Sequence, residues 1–191
     1  MTTAFAQPLN EIATRWQIDA AHSNVEFAVR HLMISTVKGR FGDIVGAVTL
    51  DPENPDNSAI EVTLQTASVD TRQDQRDAHL RSADFFDAEK YPAITFRSTR
   101  VEGDTDSEFQ VFGDLTIRDV TREIVLDVTK DGQGGDPWGN QRAAFSAKTR
   151  IDRRDFGLTY NQVLETGGVV VGDEIKISVD VELTAVPDTD A

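Results

Sequence analysis

Apolar and polar residues alternate with a period of two through most of the chain. Ile60, Val62 and Leu64 take one face while Glu61, Thr63 and Gln65 take the other, the pattern of a strand with one buried face. The same alternation runs through Val25/Phe27/Val29/His31, Ile94/Phe96, Val111/Gly113/Leu115/Ile117, Ile124/Leu126/Val128, Phe145/Ala147/Thr149/Ile151 and Ile175/Ile177/Val179/Val181/Leu183. With residues 16–19 and 41–50, about eight or nine strands are predicted. Turn-forming clusters separate them at 51–57, Glu102-Gly103-Asp104, Arg118-Asp119, 131–140 and Gly172-Asp173. Most of these links are too short to hold a crossover helix, so neighbouring strands run antiparallel, as a meander.

One segment breaks the rhythm. β-Branched residues vanish after Thr71, which stands three before Asp74 as in a capping box, and Tyr91-Pro92 returns the chain to extended geometry. A helix of two to three turns is predicted within 71–90, with Arg76, Leu80 and Ala83 on one face, His79 beside them and Phe85-Phe86 at its end. A single helix in an all-β chain covers an opening or an edge. Antiparallel strands with one apolar face each must bury it in a sandwich or a closed barrel. An eight-stranded barrel is wide enough to fill itself or to hold one small ligand. Small inward residues, Gly46, Gly113, Ala147 and Thr149, stand among Phe27, Phe96 and Phe145 and favour an interior that stays partly empty.

The 191 residues fit one domain: a lead-in at 1–14, a barrel at 15–187 and a tail at 188–191. With 19 basic and 33 acidic residues the net charge is −14, which disfavours nucleic acid and anionic surfaces. The absence of cysteine excludes disulfides, thiolate metal sites and cysteine nucleophiles. No leader pattern and no membrane-length apolar run is present, which reads as a cytoplasmic chain without an integral membrane segment.

Candidate chemistry is sparse. His22-Ser23 lacks a nucleophile elbow, and adjacent strand residues point to opposite faces, so the pair is read as closing a turn. His22, His31 and His79 have no metal-ligand spacing, and no metal is assigned. His31 shares the inward face of Val25, Phe27 and Val29, either as a satisfied core histidine or as a ligand-facing group. Arg76 and His79 belong either to a solvated charged face or to the barrel mouth, where they can donate to a head group. The run Asp152-Arg153-Arg154-Asp155 is read as pairing with itself. Gly134-Gly135 and Gly167-Gly168 are turns or bulges, and Asp70 with Glu165 carries no glycosidase geometry.

Five blocks in order resemble one known family. They are W-x-I-D-x-x-H-S-N-V-E-F-x-V-R-H from Trp16 to His31, K-G-R-F-G-D-I-V-G from Lys38 to Gly46, the block R-D-A-H-L-R-S-A-D-F-F-D-A-E-K-Y-P-A-I-T-F from Arg76 to Phe96, G-D-L-T-I-R-D-V-T from Gly113 to Thr121, and I-D-R-R-D-F-G-L from Ile151 to Leu158. The chain is similar to the YceI-like, or polyisoprenoid-binding, family over nearly all of 16–186. The resemblance implies a lipocalin-like, extended antiparallel up-and-down barrel with one short helix near its mouth. It also implies a homodimer and a pore holding a long-chain lipid such as a polyisoprenoid, an isoprenoid quinone or a fatty amide. Arg118-Asp119 departs from the family pattern, and a wider turn is expected there.

The expected function is non-enzymatic binding, sequestration or transport of such a lipid, with no required cofactor. The expected ligand-binding residues are Phe27, Val29, His31, Phe41, Leu64, Arg76, His79, Leu80, Phe85, Phe86, Phe96, Leu115, Phe145 and Phe156. Two rivals stay open: an enzyme acting on an isoprenoid or quinone, and a structural or stress-response barrel filled by its own side chains. The net charge favours a neutral head group unless Arg76, His79 or Arg154 offsets it locally.

Overall fold

The structure is a computed structural model that describes residues 14–51, 57–163 and 168–186. Its strands are β1 (Thr14–Ile18), β2 (Asn24–His31), β3 (Ser35–Phe41), β4 (Ile44–Leu50), β5 (Ala59–Gln65), β6 (Val69–Asp70), β7 (Ala93–Gly103), β8 (Glu108–Ile117), β9 (Val120–Gly135), β10 (Gln141–Asp152) and β11 (Val171–Ala185); α1 is Asp74–Arg81. Strands β1, β4, β5, β7, β8, β9, β10 and β11 form a closed antiparallel ring of eight, sealed by the pairing of β1 with β11. The expected barrel with a short helix is therefore present. Of the expected flanks, the lead-in lies outside the described residues except for Thr14, which opens β1, and so does the tail.

The remaining strands lengthen one end of this ring. β2 follows β1 along the same edge of β11, β3 pairs with β2 and leads into β4, and β6 follows β5 and pairs with β3. Each pair is one run of wall with a kink. The first kink is a 3-10 turn at Ala20–His22, capped by the Asp19 carboxylate, which accepts from the Ala21 N–H. The sequence pattern did not predict β3 or β6. In β3 the inward positions are Val37, Gly39 and Phe41, so one tooth of the alternation has no side chain, and β6 has two residues.

The wall opens beside β6. Strand β5 pairs with β7 only as far as Gln65–Ala93, while β6 leans on β3 alone. Residues 71–92, including α1, lie in this gap. Arg81 pins the helix to the wall, donating to the carbonyls of Ala67 and Val69 at 2.7 Å each. Asp74 and Asp77 in its first turn, and His79 and Arg81 in its last, oppose the helix dipole favourably. The expected capping box is corrected: Gln73 is the cap, its side chain accepting from the Arg76 N–H. Thr71 ends the β6 run instead, and its N–H and hydroxyl both donate to buried Asp77. Ala83 lies past the helix end and shares no helical face with Arg76 and Leu80.

Two other expectations change at this same end. The 118–119 turn is tight, not wide: Ile117 pairs directly with Val120, and Arg118 takes the left-handed conformation at φ 58°. Arg154 does pair with Asp152, but Arg153 turns away into the protein, 3% exposed. Its guanidinium donates to the carbonyls of Gly172, Leu158 and Tyr160 and to Asp173. Those bonds hold Leu158 and Tyr160, in the first part of the β10–β11 connection, against the start of β11.

Candidate functional site

The inward faces enclose a cavity of about 250 Å³. Its wall is built from the alternating residues of every ring strand except one end of β1, from Val25, Phe27 and Val29 of β2, and from Leu80, Phe85 and Phe86 beneath the gap. Glu26 and Arg153 are the charged residues in that wall among the described ones, and Arg153 spends its donors on the carbonyls already named. The space is nearly pure hydrocarbon. Water held there would find few of the two to four polar partners it needs.

Two glycines keep this bore open. Gly39 lies directly across from Phe27, and a Cβ at Gly39 would collide with the Phe27 ring and stand 2.7 Å from Thr71 Cγ2. A Cβ at Gly113 would stand 2.5 Å from Phe96 Cζ. In each case the far edge of a ring occupies the place where a Cβ of the neighbouring strand would stand. Phe27 then packs on Phe41 at 5.8 Å, and Phe41 meets Phe86 edge-on at 5.7 Å.

A second chamber of about 260 Å³ sits at the end covered by α1. It shares Phe27, Val29, Leu80, Phe85 and Val171 with the first, so the two meet at one throat. Besides Val37 and Val170, its other walls carry the polar side chains that the inner chamber lacks: Arg30, His31, Thr71, Arg76, His79, Tyr160 and Gln162. Arg76 is oriented by Thr71, donating to its hydroxyl at 2.7 Å and its carbonyl at 2.9 Å. Arg30 donates to the Met33 carbonyl and the Thr36 hydroxyl. Among the described residues neither guanidinium forms an ion pair with a carboxylate. His79 contacts Asp84 at 2.9 Å and is wedged edge-on between Phe85 and Tyr160.

The family assignment follows from these residues and their order. The YceI-like domain model matches residues 16–183. The chain belongs to the YceI-like family. Protein YceI of Escherichia coli O6:H1 is 44% identical over 149 residues, covering 77% of this chain and 78% of its own. The YCEI protein of Campylobacter jejuni has the same architecture, with a TM-score of 0.71 at 33% identity over 83% of this chain and 90% of that one. A polyisoprenoid binding domain from Saccharophagus degradans superposes with a TM-score of 0.65 over 92% of this chain and all of that one; at 16% identity the likeness is one of fold.

In this YceI-like chain the expected site residues divide between the chambers. Phe41, Leu64, Phe86, Phe96, Leu115 and Phe145 line the inner one, His31, Arg76 and His79 the outer one, and Phe27, Val29, Leu80 and Phe85 the throat. Phe156 lines neither; it is 1% exposed in the 3-10 turn Arg153–Phe156 and packs as core. Sequence reasoning missed Tyr160, Gln162 and Arg30. Tyr160 and Gln162 sit in an irregular connection with no periodicity, and Arg30 alternates outward from the strand face.

The opposite end is built differently. Arg142 donates to Asp136 at 2.9 Å and Asp19 at 2.8 Å, and pairs with Glu182. The Arg142 and His22 hydrogen bonds hold the Asp19 carboxyl down at about 2, and Asn140 with Arg142 holds that of Asp136 well below the ordinary range. Asp19, His22 and Glu182 converge closely enough to ligate a cation, but the Arg142 guanidinium already occupies the two carboxylates. His22 and Ser23 make turn contacts here: His22 meets Asp19 at 3.0 Å, and the Ser23 hydroxyl accepts from the Glu182 N–H at 3.1 Å. Trp16, Val101 and Ala143 are buried in the core without lining either chamber.

Proposed function

We propose that this barrel binds one long-chain amphiphile of the isoprenoid or isoprenoid-quinone type, tail in the inner chamber and head in the outer one, and that it carries or stores the lipid without chemically changing it. The observation that carries this reading is that an almost wholly apolar chamber adjoins one whose wall adds polar side chains, among them Arg76, His79 and Tyr160. The polyisoprenoid binding domain of like fold supports the same class of guest.

The energetics favour recognition by the tail. Each buried methylene contributes about 0.8 kcal/mol, so ten of them offset most of an association cost of roughly 4–15 kcal/mol. The head adds selection by hydrogen bonding. Arg76 and Arg30 offer donors without a carboxylate partner, which suits an acceptor such as a quinone carbonyl, an amide oxygen or a phosphate despite the overall charge of −14. Arg154, once a candidate for that role, pairs with Asp152 and Asp173 outside the chamber.

Native mass spectrometry of gently purified protein tests the proposal. A mass increment matching one lipid per barrel, identified after solvent extraction, is expected. Protein that stays free of lipid, and that a long-chain fluorescent amphiphile cannot enter, overturns it.

A further inference from the structure

We infer that the β2–β3 hairpin is a bilayer-docking edge, the place where the barrel touches an anionic phospholipid surface to load or release its guest. The inference rests on the tunnel reading above for its purpose, and on separate observations for its location.

The tip of this hairpin is apolar and bare. Met33 is 57% exposed and Ile34 79%, held outward by a turn in which Leu32 and Met33 both take left-handed backbone, at φ 51° and 59°. A left-handed pair of non-glycine residues is strained, and here it leaves two large apolar side chains in solvent. Val163, 82% exposed, belongs to the neighbouring β10–β11 connection, which is tied to the hairpin by the Leu32 N–H donating to the Val170 carbonyl at 2.8 Å.

The tip is also the rim of the opening. Arg30, His31 and Val37, in the arms of the same hairpin, line the outer chamber. The turn 32–34 follows directly on His31–Ser35, and His31 is itself part of the chamber wall, so the apolar tip stands at the chamber's rim.

Charge singles out the kind of surface. Residues 27–42 carry Arg30, Lys38 and Arg40 and not one carboxylate, in a chain with 33 acidic residues. Arg40 pairs with Asp70; Arg30 and Lys38 have no carboxylate partner among the described residues. An apolar tip flanked by free cations is the composition of an anchor for anionic lipid. Trp138 is the contrast. It is 80% exposed at the far end of the barrel, but Asp127 and Asp131 precede it closely, and such a surface is repelled by the same membrane. Docking at the rim would let a water-insoluble guest pass between bilayer and tunnel without crossing water.

The test is co-sedimentation with phosphatidylcholine vesicles and with phosphatidylcholine–phosphatidylglycerol vesicles. Native protein is expected to bind the mixed vesicles more tightly and to lose that preference with added salt. The double variant Met33→Ser/Ile34→Ser is expected to reduce partitioning at least tenfold on both, and Lys38→Gln to reduce it several-fold on the mixed vesicles only. Trp138→Ser is expected to change neither. Equal binding by the double variant, or loss of binding with Trp138→Ser instead, overturns the inference. So does a double variant that turns a dimer into a monomer with vesicle binding unchanged, since the hairpin then serves a second copy of the chain. Lipid occupancy measured on the same samples separates the two readings. A loaded barrel indifferent to vesicles sinks the docking edge alone, whereas a vesicle-bound barrel that never holds lipid sinks the tunnel and leaves the docking edge.

Discussion

The two ends of the barrel handle charge in opposite ways. At one end Arg142 is gripped by Asp19, Asp136 and Glu182, and Trp16, Val101 and Ala143 fill the space beneath. At the other, Arg30 and Arg76 line a chamber with no carboxylate on either, and glycines hold the rings beneath them aside. A cation met by three anions has little left to offer a ligand. One whose partners are a carbonyl and a hydroxyl retains unsatisfied charge, which is how a binding surface is kept ready at some expense of stability. Within one continuous sheet, one end is therefore built to stay shut and the other to receive.

The sharpest way to break this contrast is Arg153→Ala. Three carbonyls, of Gly172, Leu158 and Tyr160, would lose their donor in a site where Arg153 is 3% exposed. The expected loss is about 3 kcal/mol or more, read as a lowered urea midpoint, with hydrogen exchange accelerating in 153–163 before the Arg142 end responds. Next is Ala147→Phe, which places a ring in the inner chamber between Val128 and Val179. Binding of a long-tailed amphiphile should fall at least tenfold in fluorescence competition while that of a short-tailed one changes little. Thermal stability should hold, because the ring enters space that is already lined by apolar groups. A stability loss with unchanged long-chain binding would mean that the chamber is not the tail site.

Gly39→Ala acts at the throat and should do less. The new Cβ meets Phe27 and Thr71, and Thr71 is fixed by bonds to Asp77 and Arg76, so Phe27 must yield, toward the space that joins the chambers. Lipid loading should slow several-fold at nearly unchanged final occupancy. Adding Phe27→Ala should restore the rate; no restoration would show that Gly39 serves strand pairing alone.

Much of this was legible in the sequence because strand alternation is a strong signal where every inward position bears a side chain. The β8 series Val111/Gly113/Leu115/Ile117 and the β10 series Phe145/Ala147/Thr149/Ile151 face inward as read. The signal failed in β3, where Gly39 removes a tooth from the pattern, and at Thr71, whose spacing to Asp74 imitates a cap that its bonds to Asp77 preclude. It failed again at Arg153, since a four-residue run of mixed charge looks self-paired until the loop folds over it. The outer chamber depends on long-range closure: Tyr160 and His79 meet at 4.8 Å from positions far apart in the chain, and no local pattern encodes that.

Arg142→Gln sharpens the comparison from the other side, with the smallest effect on binding of the four. The folded state holds the Asp19 carboxyl at about 2, chiefly through Arg142, and Asp136 is also depressed, by Asn140 and then Arg142. A free aspartate titrates near about 3.9. Depressed carboxyls contribute stability that is fully present above the unfolded value and is lost as pH falls through the folded one. Removing Arg142 lets both carboxyls move back up, so the variant should be less stable than the native protein at about pH 6, with the gap narrowing from about pH 4 and closing only once the pH lies below both folded values. Denaturant midpoints across that range measure it. Lipid affinity at neutral pH should stay within twofold of native, because the cations facing the guest lie at the other end. A tenfold loss of binding in this variant would mean that the two ends are coupled, and that the stitched end helps shape the open one.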